Sequence, residues 1–396
     1  MTGAEAISHF NYPTRIHYGT GARRQVAPCL QENKWKQALI VTDRGVVELP
    51  FMTEFKGNLE QSGLKAEIFS EIWGNPVKSQ VTAGVAAFKN CKAEVIIAVG
   101  GGAALDVAKA IALMIHHPGD LFDYEDGKPN ALPINQAIPP IIAIPTTAGT
   151  GSEVGRAAVV SDDVSKVKKI IFDPKLLPCQ VFVDPELTLS LPASVTATTG
   201  MDALTHLIEA FLAVGFHPMA DGIALEGIRL CAENLAKCVA MAKNPPDNRE
   251  EYLHVRGMMM NAAYMGAVAF QKGLGVTHSC AHALSTVCDT HHGMANAVLL
   301  PYTMKYNSKA VPDRFVRMAQ AAGLHPATPE AFIKWTMDLR KQTDIPHTLK
   351  EIGVREEHLN NLVEVALQDG CHQLNPCAVS EEDFREIFQA AFEGRV

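Results

Sequence analysis

The stretch VIIAVGGGAALDVAKAIALMI, residues 95–115, constrains the fold of this chain more than any other. A β-branched apolar run stops at Gly100, Gly101 and Gly102 and resumes as an apolar pattern with helical spacing. A strand apolar on both faces must be covered on both, and strands that feed helices build parallel sheet. The segments 37–43 (QALIVTD), 93–100 (AEVIIAVG), 139–147 (PPIIAIPTT) and 180–185 (QVFVDP) share that strand character. From LPASVTATTGMDALTHLIEAFL, residues 191–212, onward, long amphipathic segments with few β-branched runs replace them. The expected fold is therefore an α/β N-terminal dinucleotide-binding domain over 1–192 and an all-α C-terminal domain over 193–396. The boundary is set near Pro192, with Ser194 expected to cap the next helix. At 396 residues the chain has material for two such cores.

The glycine turn suits a phosphate, because a backbone without side chains can approach a diphosphate at a helix N-terminus. It is not the Rossmann fingerprint, since Leu105 stands where the third glycine would fall. A second turn, IPTTAGTGSE at 144–153, carries Thr146, Thr147 and Thr150, hydroxyls able to bond phosphate or ribose. Asp43 ends the strand at 37–43, where a carboxylate can accept both ribose hydroxyls and repel a 2′-phosphate, favouring NAD over NADP. Three such loops after parallel strands gather at one sheet edge, where open α/β sheets bind ligands.

A second constellation lies in the helical half. Asp202 and His206 are four apart, as are His278 and His282 in THSCAHALSTVCDTHHG, and His292 follows a turn. That spacing stacks two side chains on one helical face. One carboxylate with imidazoles suits Fe(II), Zn(II) or a similar divalent ion, but spacing alone does not choose three histidines from five.

Net charge of −8 with no dense Lys/Arg block argues against nucleic acid or an anionic membrane as the main partner. MTGAEAISHFNYPTRIHYG lacks the apolar core of a signal peptide, and no run approaches membrane-spanning length. Nine cysteines at irregular spacing point to a reducing, cytoplasmic setting.

GMDALTHLIEA, IPTTAGTGSE, GGGAALDVAK, THHGMANAVLLP and LQDGCHQLNP together resemble the iron-containing (group III) alcohol dehydrogenases, in order and over essentially the whole chain. The resemblance implies a dehydroquinate synthase-like architecture with the active site in the cleft between two domains. It also implies NAD(H), a divalent ion such as Fe(II) or Zn(II), an alcohol/aldehyde substrate, and a homodimer or larger homo-oligomer. Carried over by position, the metal ligands fall on Asp202, His206, His278 and His292, with His282 beside nicotinamide and substrate as a proton relay. His291 has no family role. Cofactor positions fall on Asp43, Asn75, Gly101, Gly102, Asp106, Thr146, Thr147, Thr150 and Lys168.

The chain departs from that pattern at Ala103, where a serine is usual, and at Cys377, where an arginine is usual. Gly155 and Arg156 follow GTGSEV, and Gln271 and Lys272 precede the metal histidine. These departures put two cations, Arg156 and Lys272, near the family's substrate pocket beside Phe270 and Cys371. They raise the expectation of an anionic substrate bearing carboxylate, sulfonate or phosphonate. The competing readings are a polyol dehydrogenase of the glycerol type, a dehydroquinate-synthase-like lyase, and a metal-dependent hydrolase that leaves Asp43 idle.

Overall fold

The structure, a computed structural model, describes Tyr12 and residues 14–396; most of the segment read for a signal peptide lies outside the described residues. Two compact units emerge. One is α/β and comprises residues 14–147 together with Gly151–Leu189; the other comprises Tyr12, Ala148–Thr150 and Ser190–Val396.

The α/β unit is built on a six-stranded sheet of β1 (Arg15–Tyr18), β2 (Gln37–Val41), β3 (Lys65–Phe69), β4 (Val95–Gly100), β5 (Ile141–Pro145) and β8 (Gln180–Val183). All its neighbours pair in parallel, in the order β1-β8-β5-β4-β2-β3. A separate antiparallel hairpin joins β6 (Ala157–Ser161) to β7 (Lys168–Phe172). Helices α1 (Val26–Glu32), α2 (Pro50–Gln61), α3 (Lys78–Cys91) and α4 (Gly102–His116) connect the strands. β4 and β5 are buried at every residue, which is why their sequences are unbroken apolar runs. β1 and β3 are the sheet edges; their burial is incomplete and their sequences, RIHY and KAEIF, mix charge with apolar residues. Ile40, Val95, Ile97, Val99, Ile142, Ile144 and Phe182 form the core on one side of the sheet.

The second unit contains α5 (Ala193–Leu212), α6 (Pro218–Lys243), α7 (Arg249–Ala269), α8 (Val276–Cys288), α9 (His292–Ser308), α10 (Pro312–Ala321), α11 (Pro329–Gln342), α12 (Leu359–Gln368) and α13 (Glu381–Glu393). α5 packs on α6, α7 and α9 and is buried along nearly its whole length. Ser194 does not cap it. Pro192 is the residue at the cap position, and Ser194 lies inside the first turn, where its carbonyl accepts from Thr198 Oγ1 at 3.0 Å. The turn is braced instead by buried Arg256, which donates to Thr196 Oγ1 (2.8 Å) and to the Leu191 carbonyl (3.2 Å). Among the described residues no helix is long and apolar enough to cross a membrane.

Candidate metal centre and cofactor loops

In the α/β unit the chain runs from β2 outward to β3 and then back across to β4 on the other side of β2. Loops leaving β2 and β4 therefore diverge, and the crevice between them is where such sheets accept ligands. Asp43 sits just past β2. Its Oδ1 accepts the N–H groups of Gly45 and Val46, both at 2.9 Å, which fixes the carboxylate. Its Oδ2 faces Gly100 so closely that a Cβ there would stand 3.2 Å away and also 2.7 Å from the Ala104 methyl. Gly100 has φ +152, so both space and backbone require glycine. Gly101 precedes α4 with no side-chain cap, leaving the helix dipole and first N–H groups open to an anion. Thr146 is buried and donates its N–H to the Gly100 carbonyl (3.0 Å), while the Thr147 side chain lies against Gly101.

Asp43, Gly101, Gly102, Thr146 and Thr147 thus share one sheet edge. Asn75 is exposed in the loop after β3, Lys168 opens β7, and Thr150 groups with the helical residues. Asp106, in α4, is partly buried and bonded within the α/β unit. Its Oδ1 accepts from Ser152 Oγ (2.6 Å), its Oδ2 accepts from the Val159 N–H (3.1 Å), and burial pushes its carboxyl pKa up. Both oxygens tie α4 to the loop and strand that follow β5.

In the helical unit, Asp202, His206 and His278 offer donor atoms that all lie within 4.8 Å of one another, and all three are buried. His292 Nε2 stands 3.7 Å from Asp202 Oδ1. Close packing of α9 on α5 makes this possible: a Cβ on Gly293 would fall 2.6 Å from the Thr198 carbonyl. Burial pushes the pKa of His206 down to about 4, so its imidazole is neutral and keeps a lone pair at neutral pH.

His278 is aimed by a residue that motif spacing did not single out. Glu209, also buried, accepts from His278 Nδ1 at 2.6 Å and turns Nε2 toward Asp202 and His206. The same carboxylate accepts the N–H groups of Gly275 (3.0 Å), Thr277 (2.6 Å) and His278 (3.3 Å), so it caps α8. A Cβ on Gly275 would meet Asn375 Oδ1 at 2.8 Å and Glu209 Oε1 at 3.0 Å, which leaves room there for glycine alone. Burial alone would raise the Glu209 carboxyl, but His278 and these N–H groups hold it below its ordinary value. Burial likewise opposes the charged form of His278, yet the Glu209 bond holds its pKa above the ordinary value. Glu209 lies seven residues after Asp202 and three after His206, so a polar stripe on an otherwise apolar helix was the available signal.

The donor set fits a divalent ion. The Asn296 amide donates to Asp202 Oδ1 (2.7 Å) and faces the Nε2 atoms of His278 (3.4 Å) and His292 (3.2 Å). One carboxylate and two imidazole lone pairs thus converge on a single buried donor group, an excess of acceptors that a cation balances.

His282 faces differently. Its Nδ1 bonds Asp369 Oδ2 at 2.7 Å, and its ring stacks on His292 with centroids 5.3 Å apart. Asp369 Oδ1 accepts from Ser279 Oγ (2.7 Å) and from the Cys371 N–H (2.8 Å). Burial would raise the Asp369 carboxyl, but His282 and these donors hold it well below the carboxylate range. With Nδ1 committed to Asp369, Nε2 is the nitrogen left to exchange a proton. Asp369 was also missed, because it meets His282 and Ser279 only through fold contacts across 87 and 90 residues.

Of the expected pocket residues, Phe270 lies beside His206 with ring centroids 5.1 Å apart. The Cys371 donor atom lies within 4.8 Å of those of His282 and Asp369, and burial pushes its thiol pKa well up. Lys272 is a correction: it is buried, bonded to Asp221, and donates to the Phe211 carbonyl at 3.1 Å. Its charge closes the C-terminal end of α5 and is not open to an anionic substrate. Arg156 stacks over Phe172, 5.2 Å from the ring centre, and His291 is exposed at the start of α9.

The family models "Iron-containing alcohol dehydrogenase" and "Fe-containing alcohol dehydrogenase family, C-terminal" match residues 13–185 and 196–392. The chain is 36% identical to alcohol dehydrogenase 4 of Saccharomyces cerevisiae over 395 residues, covering 98% of this chain and 99% of that one. It is 35% identical to the NAD-dependent methanol dehydrogenase of Bacillus methanolicus, covering 97% and 100%. Its fold matches the crystal structure of a 1,3-propanediol oxidoreductase with a TM-score of 0.91 at 35% identity, over 97% of this chain and 100% of that one.

Proposed function

The chain belongs to the iron-containing alcohol dehydrogenase family, and on that premise we propose that it is an NAD(H)- and divalent-metal-dependent alcohol dehydrogenase, or in reverse an aldehyde reductase, for a small primary alcohol. The observation that carries the proposal is the convergence of Asp202, His206, His278 and His292, with Glu209 behind His278. In this assignment those four side chains hold Fe(II), Zn(II) or a similar ion. When bound, the ion polarises the substrate oxygen and the nicotinamide exchanges hydride with the adjacent carbon. The chain's own residues do the rest. Asp369 presents His282, whose Nε2 takes up or returns the hydroxyl proton. Asp43 accepts the ribose hydroxyls, and the N-terminus of α4 faces the diphosphate.

NAD(H) is favoured over its phosphorylated form because the fixed Asp43 carboxylate repels a 2′-phosphate, and because the relative from Bacillus methanolicus is named NAD-dependent. A neutral alcohol or diol is favoured over an anionic one because Lys272 is occupied by Asp221; the similar proteins are named for both kinds, alcohol, methanol and 1,3-propanediol on one side and 4-hydroxybutyrate on the other. Nine free thiols support a cytoplasmic setting, and we include in the proposal a homo-oligomeric form. Metal-reconstituted protein should oxidise NADH with short neutral aldehydes in preference to acidic ones. No turnover of any aldehyde with Fe(II) or Zn(II) overturns the proposal.

A further inference from the structure

Beside the four expected ion ligands stands a second group of donors with different chemistry. A ring nitrogen of His282, a carboxylate oxygen of Asp369 and the Cys371 sulfur all lie within 4.8 Å of one another. His282 comes from α8, and the other two come from the segment that follows α12. Two bonds pin that segment to α8: Ser279 Oγ donates to Asp369 Oδ1 (2.7 Å) and accepts the His372 N–H (2.9 Å). The trio is therefore held together by the fold. A tetrahedral ion bound to sulfur at about 2.3 Å and to nitrogen or oxygen at about 2.0 Å keeps its ligands roughly 3.5 Å apart. Small side-chain rotations close the trio on such an ion.

The two donor sets sort ions by softness. Asp202, His206, His278 and His292 offer no sulfur, and the first three are buried. The second set carries a thiol and is partly exposed, His282 to 21% and Asp369 to 17% of their side chains. Thiolate favours Zn(II) or Cd(II) over Fe(II). With three protein ligands and access to solvent, this set fills only when an ion is in excess over the enclosed one. Burial keeps the free Cys371 thiol protonated, so the residue is inert by itself and an ion must displace its proton to solvent.

We propose that His282, Asp369 and Cys371 form a second, inhibitory site for a thiophilic divalent ion. The ion enters between His282 Nδ1 and Asp369 Oδ2, now joined by a 2.7 Å bond. A neutral imidazole that gives Nδ1 to an ion keeps its proton on Nε2. The nitrogen that should accept the hydroxyl proton then has no lone pair to offer, and the relay stops. One proton, that of the thiol, leaves for each ion bound. Binding rests on these three residues alone, whereas inhibition rests on the relay role given to His282 above.

The test adds Cd(II) to protein already carrying one Zn(II) per chain, in wild type, Cys371→Ser and Cys371→Ala. Each rate is referred to the same protein without Cd(II), and released Zn(II) is measured. Wild type should bind one Cd(II) without releasing Zn(II), gain a sulfur-to-cadmium charge-transfer absorption, and lose turnover about 100-fold, the worth of a proton relay. Both variants should lack that absorption and need roughly 100-fold more Cd(II) for equal inhibition, since a lost ligand costs at least as much as a lost supporting residue. Absorption from exposed Cys179 is common to all three and cancels in the difference. Equal Cd(II) dependence in Cys371→Ala, or inhibition matched by Zn(II) release, overturns the second site and moves the effect to the first. Absence of any absorption difference overturns it too. Binding at Cys371 with an unchanged rate overturns the inhibition, and with it the relay role of His282. If wild type reduces no aldehyde at all, the dehydrogenase reading fails, while the absorption difference still decides whether the trio binds an ion.

Discussion

Replacing Glu209 by glutamine keeps the shape of the side chain and removes its charge, and the structure says what should follow. The carboxylate accepts four N–H bonds: Gly275 N, His278 N and His278 Nδ1 on Oε2, and Thr277 N on Oε1. An amide has one acceptor oxygen. In its better orientation that oxygen serves the Oε2 group and leaves the Thr277 N–H, formerly bonded at 2.6 Å, facing an amide NH₂. Loss of one buried bond to a charged acceptor costs about 1–3 kcal/mol, and removing the anion from the start of α8 costs about 0.3–1 kcal/mol more. His278 also loses the carboxylate that fixes its tautomer and orientation, which should weaken ion affinity about 10–100-fold. Urea unfolding of metal-free protein measures the first effect, and competition with a chromophoric chelator measures the second. A variant that loses stability but binds the ion like wild type would refute the orienting role and leave Glu209 a helix cap.

Lys272→Met should destabilise the helical unit by roughly 3 kcal/mol, because Asp221 is left without its partner, while the KM ratio of acidic to neutral aldehydes stays the same. A selective rise in KM for the acidic aldehyde would restore Lys272 to the substrate pocket. Glu153 is buried, and burial pushes its carboxyl from 4.5 up to about 7. Its folded pKa lies above the unfolded value, so its stabilising protonated form is fully present below pH 4.5 and is lost as pH rises toward 7, about 3 kcal/mol in all. Unfolding curves of wild type and Glu153→Gln should therefore diverge across that window; curves that stay parallel contradict the account. His282→Ala should keep the ion and lose about 100-fold in kcat, with Asp369→Asn following in the same direction, whereas His278→Ala should lose the ion. Equal ion loss in His278→Ala and His282→Ala would show that the two histidines share one role.

The layered α/β unit was legible because β4 and β5 are buried on both faces and must be written as unbroken apolar runs. β1 and β3 were not, since an edge strand needs only part of its length apolar, and RIHY and KAEIF carry no stronger signal than a loop. Asp202 and His206 announced themselves by helical spacing. Glu209 extends the same stripe, but its meaning comes from the N-terminus of α8, 66 residues on, which no local pattern contains. The same holds for Asp369 behind His282. For Lys272 the partner is 51 residues away, and a cation that looked available for substrate proves to be a tether. Ser194 failed as a cap for a related reason: Arg256, 60 residues past Thr196, braces that helix start instead.

The central claim is that Asp202, His206, His278 and His292 hold an ion on which NADH-dependent turnover depends. Metal-free protein titrated with Fe(II) or Zn(II), with aldehyde and NADH present, tests it most directly. Activity should be absent at the start, rise in proportion to added ion, and level off at one ion per chain, with no response in His278→Ala. Full turnover before any ion is added, or the same titration in His278→Ala, would contradict it.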